Sequence, residues 1–155
     1  MLRRAAAFAA VLTLSAPAQA QDPRAASVSA ALPAIDGYEK PMDDVVDVSG
    51  IPPALTVVRF YSGPAGMVQV QVRLWDAANT ESEAALMSDP ATIAMGNGET
   101  VQIAGHPGAI VNDVLLIYPG RPDSGLTLTV GGTTDRAVLK AIAEKVDFDA
   151  LLAIN

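Results

Sequence analysis

From Leu55 onward the chain alternates between apolar and polar positions. Val58 and Phe60 alternate with Arg59 and Tyr61, and Val68, Val70, Val72 and Leu74 alternate with Gln69, Gln71, Arg73 and Trp75. A period of two is the mark of half-buried antiparallel strands. Gly63, Pro64 and Gly66 lie between the two runs, so they read as a hairpin. If the apolar series shares one face, Phe60 opposes Val68 or Val70, which requires a loop of three or five residues. Arg59, Tyr61, Gln69, Gln71, Arg73 and Trp75 are then expected together on the outer face.

Beyond the hairpin, Thr80-Glu81-Ser82-Glu83 has the spacing of a capping box and predicts a short helix that Asp89-Pro90 closes. Ala91 to Met95, the pair Asn97-Gly98, and Thr100 to Ala104 suggest a second hairpin. A two-residue turn there sets Ala94 opposite Val101 and sends Ile93 and Met95 to the other face, so either the first arm is irregular or the loop is longer. Gly105-His106-Pro107-Gly108 reads as a turn, Ile110 to Tyr118 as a central strand, Pro119 to Gly125 as a turn, and Leu126 to Val130 as a strand. After Gly131-Gly132, Thr133 or Thr134 is expected to cap a helix. Asp135 sits in its first turn, where the helix dipole favours an anion, and Val138, Leu139, Ile142 and Val146 form its apolar stripe. Asp147 caps a last turn carrying Phe148, Leu151 and Leu152.

The N-terminal third has a different texture. Gln21 to Pro33 is rich in Ala and Ser, and residues 21–34 read as a flexible leader. Ile35 to Gly50 has no sustained period and reads as a loop with a short ordered piece. The expected architecture over residues 35–155 is one α+β domain. It consists of a single antiparallel sheet of about five to six strands with helices packed on one face, in the order β-β-α-β-β-β-β-α along the chain.

Residues 1–20 form a separate element. Arg3 and Arg4 precede an uncharged run from Ala5 to Leu14, and Ala18-Gln19-Ala20 is a small-x-small cleavage signature, the three parts of a bacterial-type signal peptide. A spanning helix needs roughly 20 apolar residues, and Ser15, Pro17 and Gln19 interrupt the run. The sequence contains no Cys, which removes both a lipidated anchor and a disulfide framework. A soluble periplasmic or extracellular protein of about 135 residues is the expectation, with no membrane anchor after cleavage.

Losing Arg3 and Arg4 moves the formal net charge from −7 to about −9. With no cluster of Lys and Arg, neither nucleic acid nor an anionic membrane surface is an expected partner. Electrostatics would favour a cationic partner instead, while the simpler reading is that acidity keeps an exported protein soluble.

Candidate chemistry is sparse. His106 is the single histidine and falls in turn-like sequence, without a nucleophile placed beside it. The chain has no G-x-S-x-G elbow, and Ser124 lies in ordinary turn composition. Asp43, Asp44 and Asp47 lack the spacing and later Glu of a calcium loop, and one histidine is too few for zinc. The glycines at 96, 98, 105 and 108 match no nucleotide-binding pattern, so no cofactor and no metal are expected. The least ordinary feature is the proposed outer face, because Tyr, Trp and Arg concentrate binding energy at interfaces. Arg59, Tyr61, Arg73 and Trp75 are therefore the candidate residues for a protein partner.

The segment Asp135–Leu152, entered through Thr133-Thr134, resembles the C-terminal helix of small exported bacterial proteins of unknown function, and Leu32-Pro33 with Gly37-Tyr38 is similar to their start. The resemblance implies an exported α+β domain and brings no catalytic residue with it. The functional expectation is a non-enzymatic periplasmic binding or accessory module that uses an open sheet face. The alternatives are a carrier of a small apolar ligand between sheet and helices, and a hydrolase. Terminal sequencing of the protein recovered from the periplasmic fraction is expected to begin at Gln21; a mature chain that still starts at Met1 would contradict the leader.

Overall fold

Strands β1 (Met42–Val48), β2 (Ala54–Gly63) and β3 (Gly66–Leu74) form an antiparallel meander. They continue through β7 (Leu126–Gly131), β6 (Val114–Ile117), β5 (His106–Val111) and β4 (Glu99–Ile103) into one seven-stranded sheet of order β1-β2-β3-β7-β6-β5-β4. The computed structural model describes residues 22–39, 41–48, 54–120 and 124–154. Residues 1–20, read from the sequence as a signal peptide, lie outside the described residues.

The β2–β3 hairpin forms where the alternation predicts it, but its frame is inverted. Gly63 pairs with Gly66, leaving the two-residue loop Pro64-Ala65, so Tyr61 opposes Val68 and Phe60 opposes Gln69. Leu55, Val57, Arg59 and Tyr61 therefore share a face with Val68, Val70, Val72 and Leu74, while Val58 and Phe60 lie with Gln69 and Gln71. Val57-Val58 makes both frames equally apolar at that point, and the turn and the polar partners of Arg59 and Tyr61 decide between them.

One face of the sheet carries the main core. Val57, Val70, Val72, Leu115, Ile117, Leu126, Leu128 and Val130 are buried there against three helices. These are α1 (Pro23–Ala31), α4 (Arg136–Ala143) and α5 (Phe148–Leu152). The segment read as a flexible leader is thus mostly helix α1. Asp22 caps it, Pro23 enters at the first turn, and Ala25, Val28 and Ala31 bury one side at helical spacing. The Ile35 to Gly50 region likewise contains β1, a seventh strand beyond the five or six expected.

Arg59 reaches from β2 to the end of α1. Its guanidinium pairs with Asp43 through two hydrogen bonds, Nε to Oδ1 at 2.5 Å and Nη2 to Oδ2 at 2.6 Å. It also donates to the Ser29 carbonyl at 3.0 Å and to the Leu32 carbonyl. Those carbonyls are at the C-terminal end of α1, where helical partners run out and the dipole is negative. Beside it the fully buried Tyr61 donates its hydroxyl to the Pro33 carbonyl at 2.8 Å.

Helices also pack on the second face, which corrects the one-face expectation. Helix α2 (Ala77–Ser88) starts before the predicted capping box. Asp76 is its cap, accepting from the Asn79 N–H at 2.9 Å, and Thr80 is buried inside the first turns. Asp89 ends α2 and caps α3 (Pro90–Met95), so Ala91 to Met95 is helix where a strand was expected. Asp89 accepts from the Thr92 N–H and hydroxyl, which favours a helix start over a strand.

The strand β4 pairs instead with β5 through Ala104-Gly105, both at positive φ (+49° and +84°), as the mirror-image hairpin turn requires. His106 and Pro107 are thereby in β5 and not in a turn. The apolar run Ile110 to Tyr118 is split by a second turn of the same kind at Asn112-Asp113, with φ +50° and +60°. Asp135, not Thr133 or Thr134, caps α4, accepting from the Ala137 N–H at 2.9 Å, while Asp147 caps α5 as its position predicts. No helix among the described residues is long and apolar enough to cross a membrane.

Hydrogen bonds from Arg59 hold the Asp43 carboxyl below its ordinary range. A folded value below the unfolded one means that this contribution is complete above the unfolded value of about 4 and is lost as pH falls through the folded value. Asp43→Asn is expected to lower the unfolding free energy by about 1 kcal/mol at pH 7, the pair being partly screened by solvent. The gap from the parent protein should narrow progressively as pH falls below about 4, as read by urea denaturation.

Candidate functional site

The residues singled out by sequence do not come together. Arg59 and Tyr61 face the main core, whereas Arg73 and Trp75 lie on the second face, with the Arg73 guanidinium 4.8 Å from the Trp75 ring centre. The expected surface of four residues is therefore divided between two sides of the sheet. The part of the second face over β1 to β3 carries Thr56, Val58, Phe60, Gln69 and Gln71, with Met42 69% and Met67 62% exposed towards its margin.

The remaining candidates have local roles. His106 accepts a hydrogen bond at Nδ1 from the Gly120 N–H at 3.2 Å, and its ring lies 4.6 Å from that of Phe148. Ser124 donates to the Pro119 carbonyl and accepts from the Leu126 N–H, organising the turn before β7. Asp43 belongs to Arg59, and Asp44 occupies the next register position along β1. Asp47 is in the same strand. Among the described residues no group of three His, Cys, Asp or Glu side chains could hold a metal.

The feature that does gather polar chemistry lies under α2. Thr80 and Ala84 are its two buried residues, one turn apart, and they seat it on the sheet. Ala84 is small, so the next turn passes over β4 and β5 above a cavity of about 290 Å³. Ala84, Met87 and Ser88 form the helix side of the wall, Thr100, Gln102 and Pro107 form part of the strand side, and Tyr118 completes it. Tyr118 follows β6 and is fixed by its N–H to the Pro107 carbonyl at 3.1 Å. This layer, with Ala84, Ile93, Ala109 and Tyr118, is separate from the main core on the other face.

Tyr118 is only 4% exposed, and its hydroxyl has no hydrogen-bond partner. Burial raises its pKa far above that of an ordinary phenol, and the negative charge of Glu83 adds to the effect, so the hydroxyl keeps its proton and remains a donor. Glu83 precedes Ala84 on α2 and stands one turn from Met87. Its Oε2 is also buried without a partner, as is Nε1 of Trp75, which immediately precedes the α2 cap. These are the buried side-chain polar atoms without partners among the described residues, and all three adjoin one helix. Buried polar groups are nearly always paired, so three such atoms beside one helix set this region apart.

Sequence reasoning passed over both residues. Glu83 was absorbed into a capping box and Tyr118 into the end of a long strand. Spacing held a usable signal: Thr80, Glu83, Ala84 and Met87 fall on one side of a helix. Comparison with protein-family models, curated proteins and solved structures finds no match for this chain.

An unpartnered hydroxyl adds nothing to folding. Tyr118→Phe is accordingly expected to leave stability unchanged or raise it by up to about 1 kcal/mol. A clear fall in the thermal midpoint would show that the hydroxyl has a structural partner after all.

Proposed function

We propose that the protein is an exported, non-enzymatic binding module that carries a small, mainly apolar molecule in the cavity between α2 and the β4–β5 side of the sheet. The observation that carries this reading is the Tyr118 hydroxyl, buried at the cavity wall with its hydrogen-bonding capacity unused. Small-molecule sites combine an apolar lining with a few convergent polar groups. Ala84, Met87 and Pro107 supply the lining here, and Tyr118 the polar group.

Binding without catalysis is favoured by the state of the other side chains. Ser88 on the wall donates its hydroxyl to the Ala84 carbonyl at 2.7 Å, and His106 lies elsewhere, engaged with Gly120. The Ser88 hydroxyl is thus engaged by a backbone carbonyl and not by a base. Export is supported by the leader ending in Ala18-Gln19-Ala20, whose cleavage would release the module into the periplasm or outside the cell. A protein partner on the open part of the sheet is the weaker reading. Arg73 is stacked on Trp75, and Thr56, Gln69 and Gln71 make much of that surface polar.

Native mass spectrometry of the protein purified from its own host should show a small molecule retained by the folded chain and lost in Ala84→Leu. Ala84 lines the cavity, and an unchanged thermal midpoint of the variant is the check that its fold is kept. Protein that carries no added mass in every preparation would overturn the carrier reading.

A further inference from the structure

Strand β4 is the edge of the sheet opposite β1, and its backbone is only half used. The two-residue turn Ala104-Gly105 makes Ile103 and His106 a hydrogen-bonded pair, so along the unbroken register the backbone groups of Ile103, Val101 and Glu99 point to β5. Pro107 agrees with this phase, because it has no N–H and stands opposite Gln102, where none is needed. The N–H and C=O groups of Thr100 and Gln102 therefore point outwards. Among the described residues no strand pairs with β4 on that side, and the backbone of neither residue has a hydrogen bond elsewhere. Edge strands are commonly guarded by charge, by proline or by a bulge. β1 carries Asp43, Asp44 and Asp47, whereas Thr100-Val101-Gln102 is uncharged and regular. The one charged residue of β4, Glu99, is paired with Lys140 at 2.8 Å.

We propose that β4 is a dimerisation edge and that its occupant is β4 of a second copy, antiparallel about a twofold axis at Val101. In that register Thr100 of each copy lies opposite Gln102 of the other and exchanges both N–H···O bonds with it, while Val101 lies opposite Val101 of the second copy. Val101 turns its own backbone groups to β5, so the axis passes between two outward residues and both copies present the same donors and acceptors. Glu99 falls opposite Ile103 of the second copy, and no like charges meet across the seam. For a chain of net charge −7 this is the edge that a second copy can approach without facing a row of carboxylates. Helix α3 packs against β4 and ends in Met95, which is 82% exposed, so apolar surface adjoins the edge. Twofold pairing uses both β4 edges, which stops assembly at the dimer and leaves an acidic β1 strand outermost at each end. The proposal does not depend on the carrier reading, although Thr100 and Gln102 also line the cavity. Directly opposed residues share a face, so the pairing sets the two cavities on one side of the joined sheet.

The test is analytical ultracentrifugation of the protein purified from its host, from about 1 µM to about 1 mM. A reversible dimer is expected, with a dissociation constant on the order of 10 µM, because so short a seam falls at the small end of specific interfaces. Thr100→Pro removes an outward N–H and no bond to β5, so it should keep the circular dichroism of the parent and weaken the dimer at least about tenfold. Thr100→Glu combined with Gln102→Glu sets like charges opposite each other and should leave a monomer. Thr100→Lys combined with Gln102→Glu sets opposite charges there and should keep the dimer. Both positions are exposed, so the two charge variants decide the matter even if Thr100→Pro fails to fold. A parent protein that stays monomeric up to about 1 mM overturns the proposal. A dimer that persists unchanged in the double Glu variant is built on another surface and also overturns it. Equal loss of the dimer in the two charge variants overturns the antiparallel pairing about Val101.

Discussion

A guanidinium group taken out of water must have its donors met, and Arg59 meets them by joining three parts of the chain that are distant in sequence. Its partners are the carboxylate of Asp43 on β1 and the carbonyls of Ser29 and Leu32 at the end of α1. The first contact fixes an outer strand to its neighbour. The second turns the negative end of a helix towards a fixed positive charge. From there the order passes along α1, because the Ala31 carbonyl accepts from the Asp147 N–H at 3.0 Å, at the cap of α5. The N-terminal and C-terminal ends of the described fold therefore close over the same sheet face, with one charged side chain beneath their junction.

That arrangement explains why some of the fold was legible in the sequence and some was not. β3, β7, α4 and α5 follow from local rules: alternation, glycine breaks, an aspartate cap and an apolar stripe. The frame of β2 does not, because Arg59 and Tyr61 look like surface residues until their partners are known. Tyr61 is buried because its hydroxyl reaches the Pro33 carbonyl, and no periodicity encodes a bond to a residue 28 positions away. Helix α1 was hidden for the same reason. Its Ala-rich composition is weakly apolar, and its burial depends on the sheet, α5 and Arg59. The errors at Ala91 to Met95 and at Asn112-Asp113 have another origin. In both places a short polar side chain, Asp89 or the Asn-Asp pair, sets the backbone more strongly than the surrounding apolar residues do.

The two faces of the sheet are filled by different means. On the first, branched aliphatic residues from six strands meet three helices and leave little polar chemistry beyond Arg59 and Tyr61. On the second, α2 is seated by a threonine and an alanine, and Leu86 on the same helix is largely exposed. A helix held by such small residues lies close to the sheet at one end and leaves space at the other. Tyr118 lines that space and Glu83 adjoins the lining residue Ala84 on α2, each with a buried oxygen that has no partner among the described residues. Neither residue belongs to a recognisable motif, and the site emerges only when β6 brings Tyr118 beneath a helix more than thirty positions earlier in the chain.

The aspartates of β1 have a role that their spacing did not suggest. A sheet that ends in an unpaired strand offers its free N–H and C=O groups to any similar edge, including that of a second copy. Among the described residues β1 is such an edge, and it carries Asp43, Asp44 and Asp47 within seven residues. Asp43 turns its charge inward to Arg59, while Asp44 is exposed. Two molecules approaching through this edge would bring like charges together before a backbone hydrogen bond could form. The acidity of this strand would thus act locally, as a barrier to sheet extension between copies of the protein.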